Sequence, residues 1–220
     1  MKNYSAAGHY GDSMVFILHG LDHRNNAPFI AVEPTPGGWG AWETGDGADA
    51  LINNVNGAFK DIPIEIYENK YPVTIRNYGL RRDTGGPGKM RGGCGLYKEY
   101  TVNTDLNLSL WFERSKTTGW GLFNGKDGIG PNVNIKHSNG KEENRLKSNS
   151  YPIKKGTVVT TYTGGGGGFG DSYDRDPKNV LEDVINGLVS IDKAEKDYKV
   201  VISSNMSIDY SKTNDLRSKK

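Results

Sequence analysis

The sequence is poor in cysteine and in long apolar stretches. Cys94 is the single cysteine among 220 residues, so neither an internal disulfide nor a cysteine-rich zinc site can form within the chain. No run approaches the roughly 18 consecutive apolar residues that a membrane-spanning helix needs, and the amino terminus lacks the apolar centre of a signal peptide. These absences predict a soluble, cytoplasmic protein with no membrane partner.

Neither sign of charge dominates the sequence. The 28 lysines and arginines nearly balance the 26 aspartates and glutamates, which leaves a formal net charge of +2. So small an excess does not attract nucleic acid or anionic membranes without specific contacts. Binding of sugar or nucleic acid through the four tryptophans would rest on aromatic content alone, and we expect no nucleic-acid partner.

Glycine, in contrast, is abundant, with 30 residues against roughly 7 % of the chain in an average protein. The stretch from Asp83 to Gly95 holds six glycines and one proline, which predicts a loop with turns or close chain crossings. A second glycine region spans residues 35–50, and residues 164–168 are five consecutive glycines. This run lacks the Gly-Lys-Ser/Thr ending of a nucleotide-binding P-loop, so we expect no nucleotide site there.

The pattern of apolar residues predicts a β-rich chain. Short apolar or alternating runs indicate strands, whereas residues 113–150 are polar and rich in turn-forming residues. Residues 96–103 and 106–112 are expected to pair as a hairpin around Thr104 and Asp105. The remaining predicted strands are residues 14–19, 28–33, 73–81, 157–162 and 199–202.

Helices are predicted at three places by their capping residues. Pro63 favours the start of a short helix that would place Glu65 and Glu68 on one face. Two short carboxyl-terminal helices are predicted from Lys178 to Asn186 and from Ser190 to Tyr198. The sequence therefore predicts an α+β fold, a β-rich mixed-sheet domain with long glycine-rich loops and two short carboxyl-terminal helices. We expect the domain to span residues 1–202 and a polar, disordered tail to span residues 203–220.

Several motifs together resemble the carboxyl-terminal part of the hydantoinase B/oxoprolinase family. They occur in the family's order and cover most of the chain up to residue 202. The motifs are Gly37-Gly38-Trp39-Gly40-Ala41, Asp46-Gly47, Pro63-Ile64-Glu65-Ile66-Tyr67-Glu68, Asp83 to Gly93, Gly164 to Gly168 with Gly170-Asp171, and Arg175-Asp176-Pro177.

The resemblance implies part of an ATP-dependent hydrolase that opens a cyclic amide such as 5-oxoproline, a hydantoin or a lactam. A kinase-like partner, the hydantoinase A/oxoprolinase-like subunit, would bind ATP and phosphorylate the substrate, so this chain itself would bind no cofactor. Related members are carboxylase subunits that act on ketones.

Family B chains are longer than this one, and their amino-terminal half carries a histidine- and aspartate-rich segment that resembles the metal site of the carboxylase members. We expect that missing half, where a divalent metal would bind, to be a second partner of this chain. The alternative is a non-catalytic assembly module or a truncated remnant without activity of its own.

Within this resemblance, four charged residues are candidates for catalysis. Loops 37–47 and 83–95 are expected to converge as two walls of one pocket. Arg91 would hold a carboxylate or a phosphorylated intermediate by a bidentate contact, and the carboxylates would orient a substrate amide or a water molecule. The candidates are Asp46, Glu65, Asp83 and Arg91. A purely structural role for the glycine loops is the alternative, and Cys94 is expected to be a buried structural residue rather than a nucleophile.

Overall fold

Two antiparallel sheets and several helices make up the fold. The computed structural model describes residues 4–11, 13–52 and 60–218, and the elements named here are those of these residues. The strands are β1 (Val15–Leu21), β2 (Pro28–Pro34), β3 (Val73–Arg81), β4 (Gly95–Val102), β5 (Leu106–Trp111), β6 (Asn132–Lys136), β7 (Glu142–Asn144), β8 (Lys147–Ile153) and β9 (Val158–Tyr162). The α-helices are α1 (Ile64–Lys70), α2 (Pro177–Ile185), α3 (Ile191–Tyr198) and α4 (Tyr210–Ser218). The predicted α+β class is confirmed.

The main core lies between the two sheets. The first sheet has the strand order β2-β1-β5-β8 and the second has the order β3-β4-β9-β6-β7. Alternate residues of β1, β4 and β5 are buried, as expected for sheets with one buried face. Phe16 of the first sheet stacks on Tyr100 of the second, with ring centroids 4.4 Å apart.

A buried ion pair also joins the two sheets. Lys98 on β4 is paired with Glu33 on β2, and both side chains are buried. The hydroxyl of Tyr100 donates to the second carboxylate oxygen of Glu33 at 2.7 Å. These hydrogen bonds satisfy charges that would otherwise destabilise an apolar core.

The predicted hairpin of residues 96–103 and 106–112 is wrong. Strand β4 pairs with β3 and β9, whereas β5 pairs with β1 and β8. Both strands carry an apolar face that must be buried, and they bury it by facing each other across the core rather than by pairing edge to edge. The short connection after Val102 therefore carries the chain from one sheet to the other.

Other differences from the predicted elements have local causes. Strands β6, β7 and β8 lie in the segment expected to consist of turns, because polar asparagine, glutamate and serine side chains occupy their outward positions. No strand forms at residues 199–202 in the described chain; Lys199 is left-handed, with φ +55°, and the amide of Val200 returns to the carbonyl of Ala194 at 3.0 Å. This pattern ends α3 instead of starting a strand.

The carboxyl-terminal helices follow their predicted caps. The Asp176 carboxylate accepts from the amide of Lys178 at the start of α2, and the Ser190 hydroxyl accepts from the amide of Lys193 at the start of α3. The expected disorder of residues 203–220 is wrong for α4. Arg217 of that helix donates to the carbonyl of Tyr198 at 3.0 Å, so α4 covers the end of α3. No helix in the described ranges is long and apolar enough to cross a membrane.

A charged contact links the turn after β1 to the end of α1, and it predicts a pH effect. Arg24 donates to both carboxylate oxygens of Asp22 and to the carbonyl of Asn69 at 2.9 Å. The hydrogen bond from Arg24 lowers the pKa of Asp22 from 3.8 to about 2. A lowered pKa in the folded state stabilises the fold above pH 3.8, and this stabilisation is lost as the pH falls through 2.

We therefore expect Asp22→Asn to be less stable than the parent at pH 5, and the difference to shrink toward pH 2. Urea unfolding at a series of pH values measures it. A difference that stays constant from pH 5 to pH 2 would contradict the assignment.

Candidate functional site

The five-glycine run 164–168 is surrounded by other glycine-rich segments. Its successive amides donate to three different neighbours: Gly165 to the carbonyl of Ile129 at 2.9 Å, Gly166 to that of Gly93 at 2.9 Å, and Gly167 to that of Gly8 at 2.8 Å. A strand in a sheet has only two neighbours, one on each side. The run instead resembles a polyproline II helix, whose backbone groups point outward in three directions.

Contacts with a given neighbour recur every three residues, as this geometry requires. The carbonyls of Gly164 and Gly167 accept from the amides of Gly38 and Ala41, each at 2.9 Å. The amides of Gly47 and Ala50 likewise donate to the carbonyls of Arg91 and Cys94. We call residues 37–41, 85–95, 119–129 and 164–168 the glycine bundle.

Close approach of the chains explains the glycines of the bundle. A Cβ atom on Gly166 would lie 1.9 Å from the carbonyl oxygen of Trp39, and one on Gly93 would lie 2.0 Å from that of Ala48. Neither glycine has a positive φ, so space rather than backbone conformation excludes a side chain. Of the two roles predicted for the glycine loops, chain crossing is the one observed here.

The two loops that were expected to converge do meet. The amide of Gly93 donates to the carbonyl of Trp39 at 2.8 Å, and the amide of Arg91 donates to Asp46 at 2.6 Å. The amide of Gly47 also donates to the carbonyl of Arg91 at 2.7 Å, so the two backbones touch each other directly. The loops therefore form a packed layer at this point rather than facing pocket walls.

Charged side chains surround one end of this layer and form what we call the arginine–aspartate cluster. Arg175 binds Asp46 in a bidentate manner, at 2.8 and 2.7 Å. Arg91 donates to Asp49 at 2.9 Å, and the same Asp49 oxygen accepts from the amide of Cys94 at 2.6 Å. The members of the cluster are Asp46, Asp49, Arg91, Arg175 and Asp183.

Asp183 of α2 lies between the two guanidinium groups. Its oxygens accept from the Nε atoms of Arg91 at 3.2 Å and of Arg175 at 3.0 Å. Burial raises the pKa of Asp183, and the neighbouring guanidinium groups oppose this shift. Burial works against the charge of Arg91, but its hydrogen bonds to Asp49 and the attraction of nearby acidic groups together outweigh burial, so that the pKa of Arg91 is raised.

The cluster has little spare capacity for a ligand. Arg91 is 4 % exposed, and it donates to Asp49, Asp183 and its neighbouring carbonyl of Gly92. With two guanidinium groups and three carboxylates, the cluster carries one formal negative charge. An anion would have to displace an aspartate to reach Arg91. The observed hydrogen bonds of Arg91 and Arg175 to Asp183 join the glycine bundle to α2.

The other two predicted residues lie elsewhere. Asp83 is left-handed, with φ +64°, and its carboxylate accepts from the amide of Ser190 at 2.7 Å. It also lines a cavity of about 80 Å³, together with Pro87, Lys193 and Tyr198. Glu65 is in the first turn of α1 and is exposed. Asp83 is therefore held at the start of α3 and Glu65 lies exposed on α1, whereas Asp46 and Arg91 belong to the arginine–aspartate cluster.

Cys94 has the surroundings of a structural residue. Its side chain is fully buried, and burial raises the pKa of its thiol, which disfavours the nucleophilic thiolate. Among residues 4–11, 13–52 and 60–218, no group of three or more His, Cys, Asp or Glu side chains is arranged to hold a metal ion. Sequence reasoning missed Asp49 and Asp183 because their partners are distant along the chain.

Comparisons with known proteins agree on one family. The family model described as hydantoinase B/oxoprolinase matches residues 1–172. A Pseudomonas sp. (strain NS671) protein named as the B-type component of a D-/L-hydantoinase is 30% identical over 94% of this chain and 35% of its own length. The beta chain of the Pseudomonas jessenii caprolactamase is 34% identical over 71% of this chain and 28% of its own length.

The fold agrees as well. The crystal structure of the ATP-dependent caprolactamase from Pseudomonas jessenii matches 97% of this chain and 38% of that chain, with a TM-score of 0.80 and 29% identity. The chain spans between a quarter and about a third of the length of the curated relatives it matches first. On this evidence, the chain belongs to the hydantoinase B/oxoprolinase family.

Proposed function

We propose that the chain is part of the B-type component of an ATP-dependent hydrolase that opens a cyclic amide. The observation that carries the proposal is its similarity to the ATP-dependent caprolactamase over 97% of its length. The substrate would be a lactam, a hydantoin or 5-oxoproline, and the reaction would break the ring C–N bond. A kinase-like A-type component would supply the phosphoryl transfer.

The hydrogen bonding of the glycine bundle supports assigning ATP to the partner. A phosphate-binding loop needs backbone amides that point at the ligand. In the five-glycine run, the amides of Gly165, Gly166 and Gly167 already donate to backbone carbonyls of neighbouring segments. These amides are unavailable to a phosphate unless the bundle opens.

The contacts suggest different roles for the four predicted residues. Asp46 and Arg91 would be positioning residues, because both are held within the arginine–aspartate cluster. Asp83 lines a cavity and Glu65 is exposed, so these two carboxylates would be the ones able to contact a substrate or a partner. Their action on a substrate stays a prediction.

Substrate-dependent ATP hydrolysis tests the proposal. Phosphate release would be measured with 5-oxoproline, a hydantoin and caprolactam, using the chain alone, an A-type component alone, and the chain with an A-type component and the rest of a B-type protein. We expect phosphate release above background for at least one ring, and only in the complete mixture. Release that is the same with and without the chain would contradict the proposal.

A further inference from the structure

The outward side of the first sheet carries an exposed apolar patch. The opposite face is buried in the core, and an antiparallel sheet of this kind ordinarily presents polar side chains to water. Here Ile30, Val32 and Trp111 are 61%, 50% and 60% exposed, and Val15 and Ile17 are half-buried beside them. We call these five residues the outer face.

Strand register makes the outer face continuous. Ile17 on β1 lies directly opposite Val32 on β2, and Val15 lies directly opposite Trp111 on β5. Side chains at such positions are close enough to touch across neighbouring strands. Beside the Trp111 ring is a groove of about 320 Å³, lined also by Val15, Ile17 and the polar Ser109 and Asn149.

The tryptophan at one end of this surface is held in place. The indole Nε1 of Trp111 donates to Glu113 at 2.7 Å, and Lys147 binds the same carboxylate oxygen at 2.7 Å. A side chain that is already oriented loses less conformational entropy on binding. Trp111 is therefore suited to be the anchor of an interface.

We propose that the outer face docks the remainder of a B-type protein, the part that this chain does not match in its relatives. That part is large, since the chain corresponds to 35% of the hydantoinase relative and 28% of the caprolactamase relative. The five members of the outer face are apolar, whereas Glu113 and Lys147 flank Trp111, so the docked surface is apolar opposite the five residues and polar at the Trp111 end. This inference rests on family membership and not on the proposed catalytic activity.

The size of the outer face favours this occupant over a separate protein. The three strands that carry it, about 4.8 Å apart and about seven residues long at roughly 3.3 Å each, cover on the order of 330 Å². A stable interface between separate proteins buries about 800 Å² on each partner. Contacts between domains of one protein begin at about 600 Å² in total, which this face can supply.

Lysine substitutions in the outer face test the proposal. The chain would be co-expressed with the section of the Pseudomonas jessenii caprolactamase beta chain that it does not match, and a tag on the chain would report their association. We expect the pair to co-purify, and the double variant Val32→Lys/Trp111→Lys to weaken the association at least tenfold. Ile66→Lys is the matched control, because Ile66 is 56% exposed but lies on α1, and it should leave binding unchanged.

Two further measurements distinguish the proposed occupant from a second copy of this chain. Thermal unfolding of the double variant shows that it is folded, and sedimentation of each variant without the probe measures self-association. Failure of the parent to bind the probe, undiminished binding by the double variant, or a parent dimer that the double variant converts to a monomer would overturn the proposal. Binding without ATP hydrolysis in the complete mixture would leave the docking surface standing and remove the proposed catalytic function.

Discussion

Gly166→Ala is expected to prevent the chain from folding stably. The added methyl group would lie 1.9 Å from the carbonyl oxygen of Trp39 and 2.6 Å from the amide nitrogen of Gly40. These are backbone atoms in the middle of the glycine bundle, so no side-chain rotation relieves the overlap. We expect a loss of at least about 4 kcal/mol in the free energy of unfolding, out of a total of about 5 to 15 kcal/mol.

The same five-glycine run offers a matched control. A Cβ atom on Gly164 would have its nearest neighbour, the carbonyl oxygen of Ile129, at 3.3 Å, so Gly164→Ala should change the free energy of unfolding by no more than about 1 kcal/mol. Soluble yield and urea unfolding followed by circular dichroism measure both variants. Equal stability of Gly166→Ala and Gly164→Ala would contradict the packed bundle.

Arg91→Met is expected to have the second largest effect. Methionine has a comparable length but leaves Asp49 and Asp183 without the guanidinium group that binds both of them. Removing one partner of a buried ion pair lowers stability by about 3 to 5 kcal/mol. The loss of stability of Arg91→Met should shrink as the pH falls from 7 to 5. Burial already raises the pKa of Asp183, and protonation of Asp183 removes its uncompensated charge.

An exposed ion pair provides the comparison. Lys154 binds Asp105 at 2.8 Å, with side chains 75% and 59% exposed, and Lys154→Met should lower stability far less than Arg91→Met does, because water screens the exposed pair. The double variant Arg91→Met/Asp183→Asn should recover part of the loss, since it removes one carboxylate along with the guanidinium. If Arg91→Met instead unfolds like the parent but inactivates the assembled enzyme, Arg91 acts on the substrate and not in the fold.

Local signals in the sequence identified much of the fold. The alternating residues of β5 and the caps at Asp176 and Ser190 depend on neighbours along the chain, and each element formed where those neighbours predict it. The pairing of β5 did not follow from such signals. Its partners β1 and β8 are selected by which faces must be buried together, and this is decided by the whole core.

The candidate site was less predictable for the same reason. The glycines of residues 83–95 and 164–168 could be singled out by composition, but the segments that they touch are far away in sequence. Arg91 was identified as a cation in a glycine-rich loop, whereas its ion pairs with Asp49 and Asp183 depend on how that loop meets α2. A cation that is isolated in sequence predicts a ligand-binding group, whereas the structure shows Arg91 donating to Asp49, Asp183 and the carbonyl of Gly92.

The most direct test of the account is to detect the opened ring itself. The complete mixture of this chain, the B-type remainder and an A-type component would be incubated with ATP and each cyclic amide, and the ring-opened product (an amino acid from a lactam, an N-carbamoyl amino acid from a hydantoin) would be measured by mass spectrometry. The account predicts a product whose mass exceeds that of the substrate by one water molecule, formed with ATP and lost when the chain is omitted. Equal product formation without the chain, or no product from any ring in an assembled complex, would contradict it.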